Sequence, residues 1–272
     1  CMGDVFMYTD RVGIQVRKGY KVQGHYGQFL GMMAQSRVPT NYPMRVDGKD
    51  YVLADLIETE KKTCVSRTEL TFKLLGLSYY VSDSDETWTS SIGEKWNLQR
   101  LIREEIAAPI AHDAACGGTH RLMGMAYSVH RRKLEGKPLT GEFGRARKYL
   151  DDFHKYTFKL QNPDGSFSTE WFRSRGNSFD IERRLQTTGH ILEWLVFSLP
   201  EEELHSEKVV AAVEYLTSIL DANPERKWAI GPMGHALHGL MIYNQRVFAE
   251  SDPVQQSAAN PSPDADAPSK RF

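Results

Sequence analysis

Five segments of one pattern recur along the chain. They restrict the fold more than any other feature of the sequence. They read GQFLGMM from Gly27, FKLLGLS from Phe72, HRLMGMA from His120, HILEWLV from His190 and HALHGLM from His235. Aligned on their fifth residues, Gly31, Gly76, Gly124, Trp194 and Gly239, they follow one another at 45, 48, 70 and 45 residues. Two places before each anchor stand Phe29, Leu74, Leu122, Leu192 and Leu237, and one place after stand Met32, Leu77, Met125, Leu195 and Leu240. These two positions are three apart, so they share one face of a helix. A small residue at four of the five anchors lets a neighbouring helix come close. A recurrence of this length is the signature of a helical repeat fold, whose units bury their apolar faces against one another.

A second set of helices is expected between these segments, over 55–64, 98–106, 143–160 and 207–220. Each has one charged face and one apolar face, which places it outside, whereas the repeat segments are apolar nearly all round and belong inside. The long interval holds one insertion, read as a loop between Phe167 and Asp180. The fold class predicted is all-α, with outer and inner helices alternating as an open solenoid or a closed α/α toroid. Residues 24–250 form this domain. Residues 1–23 look extended and read as a remnant of an earlier repeat, so the toroid is expected to be incomplete at its N-terminus. Residues 251–272, rich in Pro, Ala, Ser and Asp, read as a disordered tail. The first residue is Cys1, which points to a fragment or to a processed, even lipid-modified, start.

After the outer helix ending at Leu160 comes Gln161-Asn162-Pro163-Asp164-Gly165-Ser166-Phe167. Pro163 stops the helix, Asp164-Gly165 turns the chain, and Gln161 can bond neighbouring helix ends. This run resembles the QW-type repeat, Gln-x-x-Asp-Gly-x-aromatic, of the squalene/terpenoid cyclase and protein prenyltransferase superfamily, with Phe167 in the place of the commoner Trp. Asn223-Pro224 leading to Trp228 is a fainter echo. The resemblance implies an α/α toroid with a ligand in its central cavity. It says little about activity, because such toroids host cyclases, prenyltransferases, sugar-active enzymes and binding domains.

Three inner segments carry histidine at one repeat position, His120, His190 and His235. If each lies in the first turn of its helix, the three imidazoles converge on one mouth of the toroid. There they can bind an anion or substrate, hold a metal, or exchange protons. Asp113 and Cys116 precede His120, while Asp180, Arg183 and Gln186 precede His190. His238 follows His235 by one turn, and His25 lies near the first inner helix. From this set Asp113, Asp180 and His190 are the candidate catalytic residues. His120, Arg183, Gln186, His235 and His238 are candidates for binding. The resemblance to prenyltransferases implies zinc on Asp113, Cys116 and His235, although Asp113 and Cys116 stand one residue further apart than the family's Asp-x-Cys. Its cyclase branch uses Asp-x-Asp-Asp as an acid, and Asp83-Ser84-Asp85-Glu86 is similar. Tyr79, Tyr80, Tyr127, Trp194, Phe197 and Tyr243 on the inner helices can line a cavity or fill a core.

The net charge is −1, from 34 basic and 35 acidic residues, which excludes a generally basic nucleic-acid binder. No apolar run reaches the roughly 18 residues of a membrane helix. The longest stretch, 191–199, is broken by Glu193 and Ser198. Three cysteines and no Cys-x-x-Cys give neither a disulfide framework nor a zinc knuckle. Cytoplasmic and exported locations both fit. The functional expectation is a cyclase- or prenyltransferase-like toroid taking an elongated, isoprenoid-like or anionic small molecule at its mouth. A non-catalytic binding scaffold and a carbohydrate-active enzyme with paired carboxylates are the alternatives.

Overall fold

A computed structural model describes residues 3–19, 22–108 and 114–248. The tail expected at 251–272 and the candidate Asp113 lie outside the described residues. The first elements are α1 (Gly3–Phe6), β1 (Met7–Thr9), β2 (Ile14–Val16), α2 (Gln28–Gln35), β3 (Pro43–Val46) and β4 (Lys49–Val52). Then come α3 (Leu53–Lys62), α4 (Thr71–Tyr80), β5 (Trp88–Thr89), β6 (Lys95–Trp96) and α5 (Leu98–Ala107). A short 3-10 turn, Ala115–Gly118, leads into α6 (Thr119–Leu134) and α7 (Gly141–Leu160). The last elements are α8 (Ile181–Ser198), α9 (Glu201–Leu204), α10 (Glu207–Asp221) and α11 (Ile230–Phe248).

The chain is mostly helical, and the repeat segments fall inside helices, except that Gly27 is the N-cap of α2. α2, α4, α6, α8 and α11 pack in that order, each along the next. α3 and α5 pack on α4, α7 on α6, and α10 on α8, so the amphipathic helices form a second layer. The alternation follows from side-chain burial. Leu74, Leu122 and Leu192 are all 0% exposed, and so are Leu77, Met125 and Leu195. The same repeat positions open up at the ends of the row, where Leu237 is 49% exposed and Met32 is 53% exposed. A residue made for burial between two helices is half bare where, among the described residues, no further helix packs beside it.

The repeats do not announce three antiparallel hairpins, β1–β2, β3–β4 and β5–β6. The segment read as extended, 1–23, contains the first of these, preceded by the single turn of α1. The expected insertion is observed as an irregular segment between α7 and α8. Gln161 donates to Gly165 O at 2.9 Å and to Lys208 O at 2.8 Å, tying the end of α7 to the start of α10. Gly165 has φ 86°, and a Cβ there would stand 2.2 Å from Ala211 O, so only glycine lets this turn reach α10. Phe167 behind it is fully buried.

The Asp83–Glu86 run corrects one expectation. Asp83 pairs with Lys137, Asp85 with Arg132 at 2.7 Å and Lys137 at 3.0 Å, and Glu86 with Lys61 at 2.6 Å. The Lys137 ammonium holds Asp83 below the ordinary carboxylate range, and Arg132 and Lys137 do the same for Asp85. A general acid needs the opposite shift. The run ties the C-terminal ends of α4 and α6 together.

His154 on α7 lies over Trp194, with ring centroids 4.8 Å apart, and its Nε2 is 2.7 Å from Ser198 Oγ. Burial is the main cause that pulls its pKa from 6.5 to about 4. The folded ring is therefore neutral, and the unfolded chain takes up the proton first. Stability is expected to fall as pH drops from about 6.5 to about 4, by roughly 3 kcal/mol for this group, and then to level off. Urea unfolding at pH 7 and at pH 4.5 checks this. His154→Leu is expected to lose distinctly less stability over that interval than the wild type, and equal losses would contradict it.

Candidate metal centre

The site begins with an unusual turn. Cys116 has φ 45° and ψ 50°, and Gly117 and Gly118 continue in the left-handed region. Thr119 Oγ1 donates to Cys116 O at 2.9 Å and closes the turn onto α6. A Cβ on Gly117 would lie 2.1 Å from Trp171 Cγ, so the glycine is what lets the indole lie on the turn. Trp171 itself has φ 57°. Two non-glycine residues in the left-handed region thus meet at one place, and such strain is kept where the surroundings fix it.

Beneath this turn the histidines converge. The ring centroids of His120 and His190 are 5.5 Å apart, those of His120 and His235 5.2 Å, and those of His190 and His235 3.7 Å. Trp171 stands edge-on to His190 at 5.6 Å. One ligand atom each from Cys116, His120 and His190 lies within 4.8 Å of the others. The expected convergence is present, but its stated geometry is not. His120 is in the first turn of α6, whereas His190 is in the third turn of α8 and His235 in the second of α11. The repeat aligns the packed middles of the helices, and α8 and α11 simply start earlier.

A backbone carbonyl fixes the orientation of His190. His190 Nδ1 lies 2.7 Å from Gln186 O, a carbonyl that only accepts, which leaves Nε2 unprotonated. His120 is 6% exposed, and its ring packs on those of Phe72, His190 and His235. Burial, reinforced by His190 and His235, holds His120 well below 6.5. Burial, then His235, brings His190 to about 3, against the opposing bond to Gln186. Burial, with help from Glu193, pushes the Cys116 thiol up to about 11, while Arg183 opposes it. Both imidazoles are thus neutral, as metal ligands must be, and the thiol gives up its proton when a cation arrives.

Glu193 is the residue that sequence reasoning missed. It is 3% exposed and accepts from His235 Nδ1 at 2.7 Å, His238 Nδ1 at 2.5 Å and Gln35 Nε2 at 3.2 Å. Burial works against its ionisation, but the two imidazole hydrogen bonds outweigh it and bring the pKa to about 2. A signal was available. One place before the anchors stand Leu30, Leu75, Met123, Glu193 and His238, so Glu193 puts a carboxylate where apolar residues are the rule.

The other candidates surround the cluster. Asp180 is the N-cap of α8 and accepts from Glu182 N at 2.9 Å and Arg183 N at 3.4 Å. Arg183 donates to Thr169 O and to Gln186 Oε1, and its guanidinium lies 5.1 Å over Trp171. Arg183 and Gln186 sit inside α8 and brace the loop above the site. His25 pairs with Glu69 at 2.7 Å, and Phe72 separates it from His120. Of the inner-helix aromatics, Tyr127 and Phe197 stack at 4.4 Å, with Tyr79 beside them, further along the same helices. Among the described residues no helix is long and apolar enough to cross a membrane. No family model, curated protein or solved structure matches the chain.

Proposed function

We propose that the chain is an incomplete α/α toroid whose inner helices hold a zinc ion on Cys116, His120 and His190 and offer it to a small-molecule ligand. The observation that carries this reading is the approach of those three ligand atoms to within 4.8 Å. The burial of His120 beside His190 and His235 supports it, since it keeps the imidazole neutral, as a metal ligand must be. One sulfur and two imidazole nitrogens are a donor set suited to zinc. The ordered inner row and the QW-like run at Gln161 support the toroid and its likeness to the cyclase and prenyltransferase superfamily. The zinc set differs from the one that likeness implies, with His120 and His190 in the places of Asp113 and His235.

Zinc on three protein ligands keeps a fourth position for an outside ligand and acts there as a Lewis acid. The protein's part is to orient and to exclude water. Gln186 O fixes the tautomer of His190, and Trp171 closes over the Cys116 turn and His190. A metal-free binding scaffold is the second reading, favoured by the way Glu193 satisfies His235 and His238 internally. The carbohydrate-active alternative loses support, because Asp180 is engaged in capping α8.

Metal analysis after zinc loading and extensive dialysis tests the proposal. The wild type is expected to retain one zinc per chain. Cys116→Ser and His190→Ala are each expected to lose it while keeping their helical circular dichroism. Zinc retained by both variants, or absent from the wild type, would favour the scaffold.

A further inference from the structure

We infer that His235, held by Glu193, is the group that selects what takes the fourth position of the metal centre, and that it favours a ligand carrying an N–H or O–H beside its donor atom. This rests on the metal reading above and gives the ligand a chemical class. His235 is placed beside the centre as a flanking ring. Its ring lies 3.7 Å from that of His190 with the two planes tilted by 33°, and the ligand atoms that come within 4.8 Å of one another are those of Cys116, His120 and His190. Two imidazoles that share one ion point their nitrogens at it from separate directions, whereas rings whose centroids lie 3.7 Å apart overlap, which suits one ligand and one neighbour.

The orientation of His235 follows from Glu193. That carboxylate meets His235 Nδ1 at 2.7 Å, His238 Nδ1 at 2.5 Å and Gln35 Nε2 at 3.2 Å. An ionised carboxylate only accepts, so in the neutral ring Nδ1 of His235 carries the proton and Nε2 is the acceptor. That nitrogen has no hydrogen-bond partner among the described residues. The His235 side chain is 22% exposed, so an outside molecule can reach it. An unsatisfied acceptor beside a Lewis-acidic position rewards a ligand that brings its own proton, and it offers nothing to an aprotic one. Sites that read a single N–H or O–H discriminate strongly against analogues that lack it. Glu193 is a positioning residue in this scheme, because it acts only through His235.

Cobalt-substituted protein tests this, with pyrazole and 1-methylpyrazole as probes followed by the visible cobalt bands. Both bring one ring nitrogen to the ion, and only pyrazole has an adjacent N–H. The wild type is expected to bind pyrazole about tenfold more tightly, near the upper end of what one hydrogen bond contributes. His235→Phe keeps the bulk of a ring and removes the acceptor. It is expected to retain cobalt and the thiolate-to-cobalt charge-transfer band while the preference disappears. His235→Ala is expected to behave alike, which separates the lost hydrogen bond from a change of space. Glu193→Gln is expected to narrow the preference, since one amide cannot accept from both imidazoles. Loss of cobalt or of the charge-transfer band in both His235 variants would make His235 a ligand and overturn the inference. Equal weakening of both probes would also overturn it, by reducing His235 to a structural role. A wild type that takes up no cobalt would remove the metal reading and this inference with it.

Discussion

Arg121→Met is expected to destabilise the protein by about 3–5 kcal/mol, the usual cost of stripping the partner from a buried ion pair. Glu105 on α5 is 2% exposed and Arg121 on α6 is 8% exposed. Glu105 accepts from Leu70 N at 3.0 Å, Thr71 Oγ1 at 2.6 Å and Arg121 Nε at 3.1 Å. Arg121 Nη1 also donates to Ala108 O at 2.8 Å. One carboxylate thus joins an outer helix to the N-terminus of α4 and the first turn of α6. With methionine at 121 the volume is roughly kept, but a charge is left in the interior without its cation. Urea unfolding measures the loss. The double variant Arg121→Met with Glu105→Gln is expected to recover at least half of it, because the amide oxygen still accepts from Leu70 N and the amide NH2 can donate to the Thr71 hydroxyl. A single-variant loss under about 1 kcal/mol would mean that water reaches the pair and that it behaves like a surface bridge.

The inner row was legible because its constraint repeats. A Cβ on Gly124 would lie 3.2 Å from Thr71 O and 3.3 Å from Leu75 N, both backbone atoms of α4. On Gly239 it would lie 3.1 Å from Glu193 Cα, and on Gly76 2.8 Å from Leu30 Cγ. Close helix contact demands a small residue at the crossing, so the glycines mark the crossings. The hairpins were less legible because strands of two to four residues are too short to show alternation. One of them did carry a signal. Asp47-Gly48 joins β3 to β4 with φ values of 48° and 71°, the pattern that Asp-Gly favours in a two-residue hairpin turn.

The site divides in the same way. The three histidines were legible through their common repeat position. The inclusion of Cys116 depends on a left-handed turn that Gly117-Gly118 permits but does not require. The role of Glu193 depends on three donors from helices α2 and α11, far away in sequence. Local patterns specify faces of helices, whereas a hydrogen-bond network needs the faces assembled. Asp83–Glu86 shows the converse. A cluster of carboxylates looks like a perturbed acid until Lys137 and Arg132 arrive from the other end of α6 and its following loop, and their charges reverse the shift.

Trp194→Ala is expected to cost about 3–5 kcal/mol, as for other large aromatics removed from a core. Trp194 is fully buried. His154 stacks on it from α7 and Phe172 meets it edge-on at 6.1 Å from the loop before α8. It occupies the anchor position where the other four repeats have glycine, yet it faces the outer layer. The close crossing in this repeat has moved to Gly189, whose Cβ would lie 3.0 Å from Ala236 Cα on α11. Trp194→Gly, which restores the repeat pattern, is therefore expected to be worse than alanine by roughly the 1 kcal/mol of helix propensity between them. A glycine variant as stable as the wild type would show instead that the anchor still forms the crossing. The same substitution reaches His154. Without the indole over it, that ring regains water and its pKa moves back towards 6.5, so the loss of stability between pH 6.5 and pH 4 shrinks along with the total. Urea unfolding of Trp194→Ala at pH 7 and pH 4.5 reads both effects. A lower stability with an unchanged pH dependence would mean that the Ser198 side of the pocket, and not the stack, keeps His154 neutral.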